Sequence, residues 1–174
     1  GSPYILQHHG FFTHMELNTS FTPQIFPCII FDRAPTTLSK LLNYVNKKYN
    51  SGLPMPLVKL IGRQSLEALK FLHANGIVHT DYKPENILID HSIEEIENGS
   101  PFNIILSDFG RATILPEIFK LRVGTPEYSA PECDLMLPFD QSIDMWSFCC
   151  SLFTLITQDL LFDVDKSADD LSTG

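Results

Sequence analysis

The sequence has few positively charged residues. Its 174 residues include 12 Lys and Arg against 21 Asp and Glu, which gives a formal net charge of −9. A protein whose main partner is nucleic acid carries a basic surface, because it must neutralise phosphates. We therefore expect no direct nucleic-acid partner, whereas a basic protein partner is compatible with this charge.

The sequence also lacks a long apolar run and a metal-binding cysteine pattern. Its longest apolar stretch, Met145–Ile156, is interrupted by Ser and Thr and is too short to cross a bilayer. No N-terminal run resembles a signal peptide. The four cysteines, Cys28, Cys133, Cys149 and Cys150, have no metal-ligand spacing. We interpret them as reduced core thiols of an intracellular protein, cytoplasmic or nuclear, with no membrane partner.

Hydrophobic patterning predicts an α+β chain that begins with strands. Tyr4–Phe12 and Ile25–Phe31 are apolar, aromatic-rich runs that predict two antiparallel strands joined by a turn. The runs Asn86–Asp90 and Phe102–Ser107 predict a second hairpin. Between those two runs lies an acidic insert, residues 91–101, which we interpret as a solvated surface loop.

Helical periodicity predicts three helices. The first is capped by Thr36 or Thr37 and ends in a polar stretch. The second begins near Pro54 and ends at Asn75-Gly76. The third begins near Ser142 and is apolar over most of its circumference, which is typical of a helix buried in the centre of a domain.

A polar loop between two apolar runs carries the residues best suited to chemistry. Residues 77–86 read Ile-Val-His-Thr-Asp-Tyr-Lys-Pro-Glu-Asn, so that Asp81 precedes Asn86 by five positions. This spacing matches the protein-kinase catalytic loop, in which the Asp accepts a hydroxyl proton and the Asn holds magnesium. Two further matches follow in order, Ser-Asp-Phe-Gly at 107–110 and Gly-Thr-Pro-Glu-Tyr-Ser-Ala-Pro-Glu at 124–132. Together the three motifs resemble the C-terminal lobe of a eukaryotic-type protein kinase.

The resemblance implies catalytic and metal-binding roles for four residues. Asp81 would be the base that orients and deprotonates the substrate hydroxyl, and Lys83 would neutralise the transferring phosphate. Asn86 and Asp108 would coordinate Mg²⁺ through hard oxygen ligands. The implied cofactors are therefore ATP and Mg²⁺.

The resemblance also implies a set of residues that bind ATP. A hinge at residues 32–35, with Asp32 and Ala34, would hydrogen-bond the adenine edge through its backbone. Leu88 would form the apolar floor under the adenine ring, and Lys83 would contact the transferring phosphate. Phe31 would lie at the back of that pocket, which is compatible with an ordinary core position in a strand.

Other residues are expected to bind the protein substrate or to support the site. Glu85 would read an arginine near the phosphoacceptor, and Thr125 lies in the segment that resembles the peptide platform. The resemblance implies that support comes from a histidine packed near a phenylalanine, a glycine at a sharp turn, a glutamate paired with a later arginine, and an aspartate that accepts catalytic-loop N–H groups. These residues are His79, Phe109, Gly110, Glu132 and Asp144.

Two short features narrow the resemblance. Residues 49–56 and Thr80, which directly precedes Asp81, are similar to the SR-protein kinases, and Thr80 is shared with the CDC-like kinases. This implies protein Ser/Thr phosphorylation, with basic or Arg/Ser-rich substrates. The segment Gly124–Glu132 instead has the general Ser/Thr-kinase form.

The sequence contains no G-x-G-x-x-G motif, and its first lysine, Lys40, follows the expected hinge. A kinase needs a Gly-rich loop and a strand lysine on the phosphates. We therefore expect a partial kinase domain that is inactive alone, with residues 1–31 ending the N-lobe sheet, 32–35 the hinge and 36–174 most of the C-lobe. The alternatives are a non-catalytic kinase-like binding module and a small-molecule phosphotransferase. The oligomeric state is not predicted by these patterns.

The activation loop lacks both halves of a phosphorylation switch. Many kinases have Arg before the catalytic Asp, which pairs with a phosphate on this loop, but here that position is Thr80. Residues 114–124 contain no Ser, Thr or Tyr. We therefore expect a loop that needs no phosphate. Its own apolar residues would hold it, namely Ile114, Leu115, Ile118 and Phe119.

Overall fold

The structure is a computed structural model that describes residues 2–115 and 123–163. Two of the residues expected to pack the activation loop, Ile118 and Phe119, lie outside these ranges. The described part consists of an N-terminal hairpin followed by a helical region that contains two small sheets.

The N-terminal hairpin pairs strand β1 (His8–Leu17) with strand β2 (Pro23–Phe31) in antiparallel register. The two predicted strands are thus confirmed, but β1 begins at His8 rather than at Tyr4. The reason is that the preceding residues bind elsewhere: Tyr4 O accepts from Leu106 N at 2.8 Å, and Leu6 N donates to Leu106 O at 3.0 Å.

The first predicted helix is confirmed and follows a short strand. Strand β3 (Thr36–Thr37) leads into α1 (Leu38–Tyr49). The Thr37 hydroxyl caps the helix by accepting from Lys40 N at 3.2 Å. The buried face contains the four apolar residues at the predicted spacing, Leu38, Leu41, Leu42 and Val45.

The second predicted helix is α2 (Met55–Ala74), which has a proline in its first turn. Its buried residues include Ile61 and Leu69, which are almost wholly shielded from solvent. Strand β4 (Ile77–Val78) follows the helix directly and leads into the polar loop of residues 79–86. The helix therefore delivers the chain to the candidate catalytic residues.

The second predicted hairpin is formed by strand β5 (Ile87–Ile89) and a later strand, residues 104–106. The connection between them is not only a loop: it contains α3 (Ile93–Glu97), which is held by a capping box between Ser92 and Glu95. The prediction of a solvated loop was therefore wrong in part. The Ser-x-x-Glu spacing was the available signal.

Strand β6 (Ile104–Leu106) completes a three-stranded sheet of order β3-β5-β6. Strand β7 (Thr113–Ile114) pairs with β4, and so ties the chain after the Asp108-Phe109-Gly110 motif to the start of the catalytic loop. Helix α4 (Pro131–Asp134) is short, and α5 (Ser142–Thr157) is the third predicted helix.

Helix α5 is largely buried, but one of its predicted core positions is not. Phe148 and Leu155 are buried, whereas Cys149 is exposed, so the prediction of a core thiol was wrong at that position. Cys133 and Cys150 are buried, and Cys28 is half-buried. None of the helices in the described ranges is long and apolar enough to cross a membrane.

Gly52 lies against the end of α5. Leu53 N donates to Leu155 O at 2.8 Å, and a Cβ added to Gly52 would lie 2.0 Å from Ile156 O. Gly62 in α2 also faces α5, but there an added Cβ would lie 3.5 Å from Leu152, which is an ordinary contact. The two glycines therefore differ in what a methyl group would meet.

We expect Gly52→Ala to lower the free energy of unfolding by about 1–3 kcal/mol, because the backbone of α5 must move away. The matched change Gly62→Ala should raise it by about 0.5–1 kcal/mol, since alanine favours a helix interior. Thermal unfolding of the two full-length variants measures both effects. Equal unfolding temperatures would contradict the close approach at Gly52.

Candidate active site

The catalytic loop is organised by the carboxylate of Asp144, on the first turn of α5. This side chain is fully buried, and it accepts from His79 N through Oδ2 and from Thr80 N through Oδ1, both at 2.9 Å. His73, on α2, contacts the same Oδ2 through Nε2 at 2.8 Å. The structure thus contains the predicted backbone contacts and adds a contact from His73, which no motif or spacing had indicated.

His79 is a packing residue of the loop, as the sequence predicted. Its ring meets the Phe109 ring edge-on, with 5.2 Å between centroids, and the residue is fully buried. Nδ1 accepts from Asp81 N at 3.3 Å, so the proton lies on Nε2, which donates to Ser107 O at 2.9 Å. This neutral tautomer connects the catalytic loop to the residue before Asp108.

Asp81 lies at the centre of a cluster of polar side chains. Thr125 donates its hydroxyl to Asp81 Oδ1 at 2.7 Å, and Lys83 Nζ lies 3.3 Å from Oδ2. Lys83 also donates to the Thr125 hydroxyl at 2.6 Å. Asn86 donates through Nδ2 to the carbonyl and to the carboxylate of Asp81. Three predicted site residues therefore contact Asp81 directly.

This cluster keeps Asp81 ionised. Burial alone would raise the pKa of its carboxyl group, but the hydrogen bond from Thr125 and the positive charge of Lys83 together outweigh that effect. The pKa of Asp81 therefore lies below its ordinary value of 3.8. A buried carboxylate that stays charged at neutral pH can accept a hydrogen bond from an approaching hydroxyl group.

Asp108 follows β6 and projects from a strained backbone. It has φ 60° and ψ 69°, the left-handed conformation, whereas Gly110 has no positive φ. The sharp turn predicted after Asp108 is present as the 3-10 turn Phe109–Arg111, which contains Gly110, and Gly110 N donates to the Asp108 carboxylate at 3.4 Å. An aspartate tolerates this conformation because its side chain can bond the local backbone.

The predicted magnesium ligands, Asn86 and Asp108, lie on connected segments. Ser107, next to Asp108, donates both its N–H and its hydroxyl to Asn86 O, at 2.9 and 2.8 Å. An exposed carboxylate and an amide oxygen on such connected segments are ligand types that fit Mg²⁺, which takes one or two protein oxygens and the phosphates of its substrate. In keeping with so small a set, the described ranges hold no cluster of three His, Cys, Asp or Glu suited to a metal.

The residues predicted to bind ATP lie around the β3-β5 pair. Residues 32–35 connect β2 to β3, and Thr37 of β3 pairs with Leu88 of β5. Leu88 is half-buried, whereas Ile87 and Ile89 are fully buried on the other face of the strand. The carboxylate of Asp32 contacts His9 Nε2 at 2.7 Å, and Ala34 is half-buried. Their roles toward adenine stay predictions.

Phe31 lines a cavity that also includes the Asp108-Phe109-Gly110 motif. It is 45% exposed, and the cavity has a volume of about 610 Å³ and also includes Phe71. Glu85 is exposed, in the short 3-10 turn Pro84–Asn86. The Glu85 carboxylate is therefore accessible to a ligand that approaches from solvent.

The segment 124–132 packs on α5 through Tyr128. Ser147 donates its hydroxyl to Tyr128 O at 2.7 Å, and Tyr128 is buried. Glu132 is half-buried on α4, and its carboxylate makes no ion pair within the described ranges. Its predicted arginine partner therefore stays a prediction.

Arg111 is a residue of the site that the sequence motifs did not predict. Its Nη1 donates to Gly124 O at 2.9 Å, and its own carbonyl accepts from the Thr80 hydroxyl at 2.8 Å. No motif marked this residue, because its partners lie 31 and 13 positions away.

Comparison with known proteins supplies the family context. The protein kinase domain family matches residues 2–173. The probable dual specificity protein kinase madd-3 of Caenorhabditis elegans is 33% identical over 153 residues, covering 83% of this chain and 17% of that protein. The serine/threonine-protein kinase SRPK of Physarum polycephalum is 29% identical over 199 residues, covering 83% and 46%. Cyclin-dependent kinase 4 of Mus musculus is 39% identical over 133 residues, covering 75% and 41%.

The chain thus spans less than half the length of each of these relatives. A solved structure, the crystal structure of a kinase domain, is similar with a TM-score of 0.74 at 30% identity, and the match covers 92% of this chain and 48% of that one. This likeness confirms the predicted α+β fold. The relatives include both serine/threonine and dual-specificity kinases, so they confirm the broad resemblance, and the narrower one to SR-protein kinases stays a prediction.

We expect Thr125→Val to raise the pKa of Asp81, because the carboxylate loses its closest hydroxyl donor. The lowered pKa of wild-type Asp81 stabilises the fold above the pKa of the unfolded chain, and this contribution is lost as pH falls through the folded pKa. Thr125→Val should therefore unfold at a higher pH during acidification. Carboxyl carbon chemical shifts in metal-free buffer measure the titration, and Thr125→Ser, which keeps the hydroxyl, is the control. Identical Asp81 titrations in the Val and Ser variants would refute the assignment.

Proposed function

The chain belongs to the protein kinase family, and from this premise we propose that it carries the catalytic centre of a serine/threonine protein kinase. The reaction is transfer of the γ-phosphoryl group of ATP to a serine or threonine hydroxyl of a protein substrate. One observation carries the proposal: Asp81 is held ionised by Thr125 and Lys83, with Asn86 beside it.

In this proposal Asp81 acts on the substrate hydroxyl. Its carboxylate accepts the hydrogen bond of the incoming O–H group, which aims the oxygen at the phosphorus, and takes the proton as the new P–O bond forms. Asp81 is the right group because it is charged at neutral pH and is held in place from several sides. Its Oδ1 bond to Thr125 at 2.7 Å also limits rotation of the carboxylate.

Lys83 has two tasks in the proposed reaction. Its ammonium group lies 3.3 Å from Asp81 and is 80% shielded from solvent in its side chain, so its charge acts at close range. It lowers the pKa of Asp81, and it offers a positive charge to the phosphoryl group as negative charge spreads over that group's oxygens. The lysine therefore serves both the hydroxyl and the phosphate.

Asn86 and Asp108 would hold Mg²⁺, which neutralises phosphate charge when it is bound with ATP. The chain's own contribution is to orient these two oxygen ligands. The Asn86 side chain is held in place because its Nδ2 donates to the carbonyl and the carboxylate of Asp81. These two bonds do not use its amide oxygen. Asp108 is fixed by its left-handed backbone and by the Gly110 N–H bond.

The finer proposal is a preference for basic substrates, including Arg/Ser-rich ones. Glu85 supports this preference for basic substrates. It is an exposed carboxylate that lies between Lys83 and Asn86 in the sequence. The formal charge of −9 supports it as well, since an acidic kinase attracts basic peptides at long range. The likeness to the Physarum kinase named SRPK points in the same direction.

The first test concerns the metal site. In the full-length protein, Asp108→Ala should lower phosphoryl transfer at least a thousandfold, because charge on the phosphates is no longer neutralised. Transfer of labelled phosphate from Mg²⁺-ATP to a peptide measures the loss. Asp159→Ala removes an exposed carboxylate after α5 and is the matched control, which should keep full activity. Activity of the Asp108 variant within tenfold of wild type would contradict its role as a metal ligand.

The second test concerns the substrate. We expect full-length protein to prefer peptides with arginine near the phosphoacceptor, and Glu85→Gln to weaken this preference about tenfold by removal of one charge. A peptide array with arginine or alanine at each flanking position measures the preference, as the ratio of phosphorylation of the arginine peptide to that of the alanine peptide. Glu67→Gln, on the exposed face of α2, is the control. A preference for acidic or proline-flanked sites in the wild type would contradict the proposal.

A further inference from the structure

Arg111 connects two segments that are distant in the sequence. Its backbone carbonyl accepts from the Thr80 hydroxyl at 2.8 Å, immediately before the catalytic Asp81. Its guanidinium donates from Nη1 to Gly124 O at 2.9 Å, immediately before Thr125. The Arg111 side chain is exposed, so packing against the core does not explain why it adopts this position.

Gly124 is pressed against the catalytic loop at this point. It has φ +88°, and a Cβ at this position would lie 3.0 Å from Thr80 O. Only glycine adopts such a conformation readily. The carbonyl that Arg111 holds therefore belongs to a residue with unusual backbone freedom, and a hydrogen bond from a fixed donor restricts that freedom.

The restriction matters because of the next residue. Thr125 donates to Asp81 Oδ1 at 2.7 Å and accepts from Lys83 at 2.6 Å. A rotation of the Gly124–Thr125 peptide would move the Thr125 hydroxyl away from both groups. Arg111 is thus placed to control whether Thr125 reaches the catalytic carboxylate.

We propose that Arg111 is a positioning residue for phosphoryl transfer, which orders the Gly124–Thr125 peptide over the catalytic loop in place of an activation-loop phosphate. This inference rests on the proposed kinase function. In kinases with a phosphate switch, an arginine before the catalytic Asp pairs with a phosphate on the loop. Here Thr80 occupies that position, and the guanidinium comes from the loop itself, three residues after Asp108.

The two bonds of Arg111 form a clasp, which we define as Thr80, Arg111 and Gly124. The Thr80 bond fixes the backbone of Arg111 to the catalytic loop, and the guanidinium then reaches across to Gly124. Antiparallel pairing of Val78 with Thr113 holds the same chain segment on its other side. An arginine suits this position, because its planar group carries several donors in a fixed fork, which lysine lacks.

The clasp accounts for the absence of phosphorylatable residues nearby. Residues 114–124 contain no Ser, Thr or Tyr, and a segment already held by a guanidinium–carbonyl bond needs no phosphate to bring its end to the site. The clasp also explains why Thr80 carries a hydroxyl at a positive φ of 68°, a conformation that is unfavourable for a β-branched residue. The Thr80 N–H and hydroxyl are both engaged there, by Asp144 and by Arg111 O.

The test compares full-length wild type with Arg111→Met, Arg111→Lys and the control Arg63→Met. Arg63 is an exposed arginine on α2, far in sequence from the clasp. Backbone hydrogen exchange measures the local order of the segment after Gly124, and it does not require an active enzyme. In Arg111→Met, exchange should become faster at the Tyr128 and Ser129 amides, which donate to Thr125 O and Pro126 O, and should stay unchanged in α2 and α5.

Kinetics give the second readout. Arg111→Met should lower kcat/KM for a peptide about tenfold, with KM for ATP within twofold of wild type, because the peptide side of the site is disordered and the nucleotide side is not. The kcat/KM of Arg111→Lys should lie between the values of Arg111→Met and wild type, and that of Arg63→Met should equal the wild-type value. Treatment of wild type with a broad phosphatase, with removal checked by mass spectrometry, should change neither rate nor exchange.

Three results would overturn the inference. Unchanged exchange at residues 125–130 in Arg111→Met is one, and an equal change of exchange in α2 and α5 is another, since that indicates general destabilisation. The third is a large loss of activity on phosphatase treatment that maps to a phosphate on Thr113 or Thr125. An inactive wild type would count against the proposed function instead, and the exchange comparison would still decide the role of Arg111.

Discussion

A single buried carboxylate organises the site. Asp144 is fully shielded from solvent, and an ion in such a place must be compensated by hydrogen-bond donors, because an unpaired buried charge costs several kcal/mol. The donors are two N–H groups of the catalytic loop and the ring of His73. The loop satisfies Asp144 with Thr80 at a positive φ. This backbone path sets the position of Asp81, one residue later.

The charge arrangement around Asp81 extends this constraint to the activation segment. Asp81 is mostly buried, and Lys83, Thr125 and Asn86 compensate its charge. Thr125 comes from a different part of the chain, so Asp81 also holds the segment 124–132 by a side-chain hydrogen bond. In return, that segment supplies the hydroxyl that keeps the pKa of Asp81 low. Folding of this segment onto the loop therefore also sets the charge state of Asp81.

Local features of the fold were predictable where the physics is local. The cap of α1 at Thr37, the apolar face of that helix and the turn after α2 all depend on neighbours within four residues. The same logic should have found α3, whose Ser92 and Glu95 form a capping box, but the charge of the insert suggested a solvated loop. In the helix itself, Glu97 accepts from Tyr44 and Lys48 of α1, which attaches the insert to the domain.

The sequence by itself was enough to select Asp81, Lys83, Asn86 and Asp108 as the candidate catalytic residues, since residue type and spacing mark them, and their roles stay predictions. It also determined the three long helices, α1, α2 and α5, because hydrophobic periodicity requires only a nearby core. Only the tertiary structure decided that the left-handed residue before the Phe109–Arg111 turn is Asp108, that Cys149 faces solvent and that Arg111 holds Gly124. The physical reason is the range of the interactions: Asp144 and Thr80 are 64 residues apart, and no local pattern encodes which distant donor satisfies a buried acceptor.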